Sequence, residues 1–166
     1  MFSIGEKVVY GANGVYTVED IRDEELCGEI KKYYILSLFS QNRQDKVFVP
    51  LDNERLVSKM KKILSQDEIF SLVRSVPSEP MKWIPETRAR NERFKEILTR
   101  AERAELVHLA KTICLQKEKM LSQGKRLFQS DENTLMRIEK ILYDEFSLVL
   151  DISRDDILSF IINENL

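Results

Sequence analysis

Two cysteines, one histidine and five glycines among 166 residues leave little for several common chemistries to use. Cys27 and Cys114 stand 87 positions apart, which excludes a CxxC redox motif and a zinc knuckle. Two unpaired thiols fit a reducing cytosol. His108 is the sole histidine, and six residues separate it from Cys114. On a helix that spacing points the two side chains to different faces, so no Cys–His dyad is expected. Gly11-Ala12-Asn13-Gly14 is not a phosphate loop, since no Gly-Lys-Ser/Thr follows and the next element reads as a strand. The acidic groups Asp20, Asp23, Glu24 and Glu25, and Asp155-Asp156, lack the alternation and glycine of a calcium loop. No uncharged run approaches the ~20 residues needed to cross a bilayer. Met-Phe-Ser-Ile-Gly-Glu-Lys shows no basic head before an apolar run, so no signal peptide is expected and the cytoplasm is the expected location. Neither an enzyme, nor a cofactor, nor a membrane partner, nor a small-molecule substrate is indicated.

What the sequence does contain is charge and apolar periodicity. The chain has 43% hydrophobic and 33% charged residues, with eight Phe, five Tyr and one Trp, which excludes a disordered acidic chain. Its length allows one ordinary domain or two small ones. The 26 basic and 28 acidic side chains give a net charge of only −2, but they are segregated. Residues 1–54 carry −4, 55–80 carry +2, 81–128 carry +6 and 129–166 carry −6. The total argues against a general nucleic-acid binder; the basic middle does not.

Hydrophobic period divides the chain in two. Lys7–Tyr10, Gly14–Ile21, Lys31–Leu38 and Lys46–Pro50 alternate as strands. The Asn13-Gly14 pair suits a tight hairpin, and a second turn is expected near Cys27-Gly28. Strands this short in some 50 residues point to a small SH3-like barrel, with a plain antiparallel meander as the alternative. After Leu56 the period becomes helical. Ser65-Gln66-Asp67-Glu68 is a capping box, and Pro77 stops the helix it opens. Further helices are expected from Pro85, from a Thr99–Glu102 cap, from Ser130-Asp131-Glu132 and from a Ser153–Asp156 cap. Their apolar stripes include Phe94, Ile97 and Leu98, then Leu106, Leu109 and Ile113, then Ile138, Leu142 and Phe146, then Ile157 and Ile161. The fold class is α+β: a small β-barrel followed by an all-α helical bundle.

Recognition is the chemistry that remains. Trp83 lies between prolines in Met81-Lys82-Trp83-Ile84, ahead of a helix carrying Arg88, Arg90 and Arg93; Lys125 and Arg126 follow Gly124. Grouped cations neutralise phosphates, and a ring on a rigid segment can wedge beside unstacked bases. Against this, a lone Trp often anchors a core, and Arg-rich helix faces are often merely solvated.

The opening Phe2-Ser-Ile-Gly5-Glu6-Lys7-Val8-Val9-Tyr10-Gly-Ala-Asn-Gly14-Val15 resembles the start of the CarD/CdnL family of bacterial transcription regulators, whose first module is shared with the transcription-repair coupling factor. Similarity continues at Lys32–Leu36, Val47–Asn53, Leu56–Met60, Trp83, Gly124–Leu127, Asp131–Asn133 and Glu139–Phe146. The resemblance implies a Tudor/SH3-like domain over 1–58 that docks on the RNA polymerase β subunit through a strand edge. It implies a helical domain over 59–166 that contacts promoter DNA upstream of the melted region without reading sequence, thereby changing open-complex lifetime. Trp83 would be the wedge at the bubble's upstream fork. Arg88, Lys125, Arg126 and Arg137 would line the DNA side, with Lys82, Arg90 and Arg93 added as candidates by the grouping of charge, and Glu24, Leu26 and Phe48 the polymerase side. The alternative is a protein–protein adaptor, its barrel on polymerase or another partner and its helices without a DNA role.

Overall fold

Alternating apolar positions between Lys7 and Lys62 become five antiparallel strands in the computed structural model, which describes residues 1–39 and 46–163. They are β1 (Lys7–Tyr10), β2 (Val15–Leu26), β3 (Glu29–Leu38), β4 (Lys46–Pro50) and β5 (Met60–Lys62), with the short helix α1 (Glu54–Val57) before β5. Their order is β4-β3-β2-β1-β5. The ladder does not close on itself among the described residues; the sheet is open, with β4 and β5 as its end strands. One face buries Val8, Tyr10, Tyr16, Val18, Tyr34, Leu36, Val49 and Met60 as a core. Register slips between Val18 and Asp20, a β-bulge that bends and twists β2 at its middle.

Turn chemistry differs from expectation at one hairpin and agrees at the other. Between β1 and β2 the positive φ angles fall on Gly11 (φ 56°) and Gly14 (φ 105°) and not on Asn13, which donates its N–H to the Tyr10 carbonyl at 3.1 Å. At the far end Cys27 (φ 57°) and Gly28 (φ 79°) form the two-residue turn, both central positions left-handed as a twisted hairpin demands.

The chain divides into Met1–Ile63 and Leu64–Leu166. The division comes after the expected 58/59 boundary because Met60–Lys62 pairs with β1 and so belongs with the sheet.

The second unit is helical: α2 (Gln66–Ser75), α3 (Thr87–Arg100), α4 (Arg103–Ser122), α5 (Gln129–Leu150) and α6 (Asp156–Asn163). Ser65 closes its capping box, its Oγ accepting from the Glu68 N–H at 3.3 Å while Glu68 accepts from the Ser65 N–H at 2.7 Å. Thr99 does not cap α4. It lies within α3 and donates to the Lys95 carbonyl at 2.8 Å, while Ala101 ends α3 in the left-handed region (φ 51°). α5 starts one residue ahead of Ser130, with Phe128 at the capping position. Ser153 donates its hydroxyl to the Asp156 carboxylate at 2.6 Å instead of accepting a backbone N–H. The interior is Ile69, Val73, Phe94, Ile97, Leu106, Leu109, Ile113, Ile138, Leu142, Phe146, Ile157 and Ile161, each worth about 1.5–3 kcal/mol when fully buried.

Candidate functional site

Each unit presents one candidate surface. In the sheet, strand register sorts side chains by face. Glu24 and Leu26 on β2 and Phe48 on β4 share the face opposite the core, since Glu24 opposes Lys31, Leu26 opposes Glu29 and Phe48 opposes Ile35. Phe48 is 37% exposed and meets Tyr33 edge-on at 6.3 Å, so an apolar ring stands on a support of buried Tyr33 and Ile35. Leu26 is exposed near the hairpin tip. Glu24 is engaged: its carboxylate lies 2.6 Å from the Arg22 guanidinium, which also holds Asp20 at 3.1 Å. β4 pairs on one side with β3, and no described strand occupies its other edge.

In the helical unit the residues around Trp83 are held by their backbone. The Met81 N–H donates to Thr112 Oγ1 at 2.9 Å, and that hydroxyl donates to the His108 carbonyl at 2.8 Å. His108 Nε2 lies 2.8 Å from the Glu79 carbonyl oxygen, which only accepts, so this nitrogen carries the proton. His108 is thus a clamp between α4 and the proline-bracketed segment. The Ile84 and Pro85 carbonyls accept from Arg90 Nη1 at 2.8 and 3.1 Å. Trp83 stands half-buried on this anchored stretch, edge-on to Phe94 at 6.1 Å. It borders a cavity of about 350 Å³ lined also by Met81, Lys82, Ile84, Phe94 and Ile97.

Arg90 requires a correction. It is not a surface cation for phosphate: the side chain is 1% exposed and forms a two-pronged pair with Asp131, which is 0% exposed. Nε meets Oδ1 at 2.9 Å and Nη2 meets Oδ2 at 3.0 Å. Its guanidinium carbon sits 4.7 Å from the Trp83 ring centre and 5.6 Å from that of Phe128. Arg90 therefore braces the tryptophan and ties α3 to the first turn of α5.

The other expected cations are outside. Arg88 is 87% exposed with a loose Glu92 partner at 3.4 Å, and Arg93 pairs with Glu96 at 3.2 Å. Lys82, Lys125, Arg126 and Arg137 are exposed, and their side chains make no hydrogen bond or ion pair among the described residues. Arg137 lies about 9 Å further along α5 than Asp131 at 1.5 Å per residue, and no described contact joins it to Trp83. Sequence reasoning missed Phe128 and Asp131. The spacing of Arg90 to Phe94 and Ile97, four and seven residues on, was the available sign that this arginine faces inward.

Remaining titratable groups are structural. Burial pushes the Cys114 thiol up to about 11, with Lys117 opposing and Glu118 reinforcing, so it stays protonated and unreactive. Burial lowers Lys111, whose ammonium donates to the Val73 carbonyl near the end of α2 at 2.8 Å. Arg103 and Glu145 form a second bidentate pair at 2.7 Å, and Glu145 also accepts from the Leu64 N–H at 2.9 Å. Among the described residues no cluster of three or more His, Cys, Asp or Glu could hold a metal, and no helix is long and apolar enough to cross a membrane.

No curated protein matches the chain. Residues 2–62 match the family model of the CarD-like/TRCF RID domain, a class that binds the RNA polymerase β subunit. The match runs from the strand-entering Phe2 to the last residue of β5, almost the whole sheet unit. The sheet unit therefore matches the CarD-like/TRCF RID domain, a domain class tied to transcription and RNA polymerase, over residues 2–62 of the 166.

Proposed function

We propose that the protein docks on the RNA polymerase β subunit through its sheet, curled in the SH3/Tudor manner. Its helical unit then contacts promoter DNA at the upstream edge of the transcription bubble and modulates open-complex lifetime without reading sequence. It acts by recognition and not as an enzyme. The observation that carries this reading is Trp83: a half-exposed indole on a segment tied down at residues 79, 81, 84 and 85, flanked by the unpaired Lys82. A wedge must be rigid, since a mobile ring loses its stacking energy to ordering. Unstacking a base step costs ~a few kcal/mol, so the wedge belongs where the duplex is already opening. Lys82, Arg88, Arg93, Lys125, Arg126 and Arg137 supply the phosphate contacts in this reading; Arg90 does not.

Free affinity for DNA is expected to be weak, about 10⁻⁴–10⁻⁶ M at physiological salt, as for other sequence-independent binders. Docking on polymerase raises the local concentration to the order of mM, where weak contacts suffice. The edge-on packing of Trp83 against Phe94 favours one competing reading, an adaptor in which the indole is a core anchor and DNA is not touched. Open-complex lifetime separates them. Trp83→Ala is expected to retain the helical fold and polymerase binding while shortening the lifetime of open complexes, read by competitor challenge. Unfolding, or an unchanged lifetime, would overturn the wedge and favour the adaptor.

A further inference from the structure

We propose that Phe128 is a second aromatic contact for an unpaired nucleobase, acting beside Trp83; the inference rests on the DNA reading above and adds a residue to it. Phe128 occupies the capping position of α5, where Ser, Thr, Asp or Asn would satisfy an orphan N–H, and it makes no side-chain cap. Its ring is 56% exposed, although the adjacent Leu127 is buried and anchors the loop. Folding thus gains neither a cap nor much burial from this phenylalanine. What the ring does touch is Arg90, whose guanidinium carbon lies 5.6 Å from the Phe128 centroid and 4.7 Å from that of Trp83. Four hydrogen bonds, to Asp131, Ile84 and Pro85, hold that guanidinium still. Two aromatic rings are therefore referenced to one rigid group, with centres no more than about 10 Å apart, a span of roughly three base rises at 3.4 Å.

The chemistry around the ring selects the occupant. Lys125 and Arg126, immediately before Leu127, are exposed and unpaired among the described residues, and Gln129 after it is polar and exposed. A protein partner would call for an apolar surround. An exposed ring two and three residues after a pair of exposed cations instead suits a nucleotide, whose base stacks on the ring while its phosphate meets the cations.

The test uses the full chain and a DNA duplex with a short unpaired bubble carrying 2-aminopurine at the fork, against the fully paired duplex, at low ionic strength. Wild type is expected to bind the forked DNA more tightly and quench the 2-aminopurine. Phe128→Ala and Phe128→Leu are expected to weaken binding to the fork by about 5- to 100-fold, the worth of one base stack, with paired-duplex binding unchanged. Phe128→Tyr restores it. Phe128→Leu keeps an apolar side chain and removes the ring, so a fold defect would show as a lowered melting temperature in that variant. Fork binding by Phe128→Ala and Phe128→Leu equal to wild type, or equal losses on both DNAs, overturns the inference. If Trp83→Ala loses the fork preference while Phe128→Ala keeps it, only this inference fails. If wild type shows no fork preference and Trp83→Ala changes nothing, the DNA reading fails with it.

Discussion

Arg90 shows how one side chain changes the meaning of its neighbours. Charge alone places it with Arg88 and Arg93 as a phosphate contact, but its position four residues before Phe94 and seven before Ile97 puts it on the buried stripe of α3. There it is neutralised by Asp131, and the +6 of the basic middle loses one of its apparent surface charges. Removing one partner of a buried, fully hydrogen-bonded pair strands the other charge and costs about 3–5 kcal/mol. Arg90→Met and Asp131→Asn are therefore each expected to lower the thermal midpoint of the helical unit by more than ten degrees or so, at several degrees per kcal/mol. The double variant Arg90→Met/Asp131→Leu should recover much of that loss. Circular dichroism melts decide it: a variant that melts like wild type but binds DNA more weakly would return Arg90 to the phosphate side. Trp83, Lys82, Arg88, Lys125 and Arg126 were legible as surface candidates because proline brackets and charge clustering are local signals. Asp131 was not. Its sequence context, Ser130-Asp131-Glu132, reads as a helix start, and only the fold turns its carboxylate inward to meet a residue 41 positions away. Phe128 was illegible for the same reason.

The elements read best are ones in which a few side chains act on their own backbone, although the expected Thr99 and Ser153 caps do not form, and the worst are those that pairing carries. The Ser65 box, the stop at Pro77 and the turn at Cys27-Gly28 depend on a few adjacent residues. The outermost part of the β2–β3 hairpin lies beyond the expected strands Gly14–Ile21 and Lys31–Leu38, because Arg22–Leu26, Glu29 and Ile30 lack apolar alternation. Their register sets Asp23 opposite Lys32 and Glu24 opposite Lys31, opposite-charge pairs that support a ribbon without a core. β5, three residues long and ending in two lysines, exists only because β1 offers it a partner. The caps carry a pH prediction. Glu68 is held below its ordinary 4.5 by the Ser65 backbone N–H and then the Ser65 hydroxyl, with Arg103 adding attraction. Glu86 is held below 4.5 by the N–H groups of Ala89 and Arg88 at the start of α3. A depressed folded-state value contributes stability that is complete above the unfolded value and is lost as pH falls through the folded one. The thermal midpoint of the wild type should therefore hold steady above pH 4.5 and decline below it. Glu68→Gln/Glu86→Gln should lower the neutral-pH midpoint and flatten that decline. An identical acid slope in both proteins would show that these caps do not carry it.

Across the whole molecule the proposed function divides the work between the two units of a chain whose net charge is only −2. In the proposed function the helical unit, whose exposed cations include Lys82, Lys125, Arg126 and Arg137, is expected to hold DNA only weakly by itself at physiological salt. In the sheet unit Arg22, Lys31 and Lys46 are each taken, by Asp20 and Glu24, by Glu29 and by Glu19. In the proposed function affinity comes from polymerase docking and effect from the DNA contact, and these two contributions separate in a titration. Loss of docking moves the protein concentration needed without changing what a saturated complex does; loss of the wedge lowers the plateau at any concentration. Phe48, a supported and exposed ring beside the unpaired edge of β4, is the side chain on which to try this. Phe48→Ala is expected to raise the concentration for half-maximal prolongation of open complexes by about 5- to 30-fold, the worth of one interface anchor of roughly 1–2 kcal/mol, with the plateau lifetime unchanged. Trp83→Ala should do the reverse, keeping the half-maximal concentration and lowering the plateau. If Phe48→Ala leaves the half-maximal concentration where it was, the outer face of the sheet is not the docking surface. If it lowers the plateau instead, docking and DNA contact are not the separable steps that the charge distribution requires.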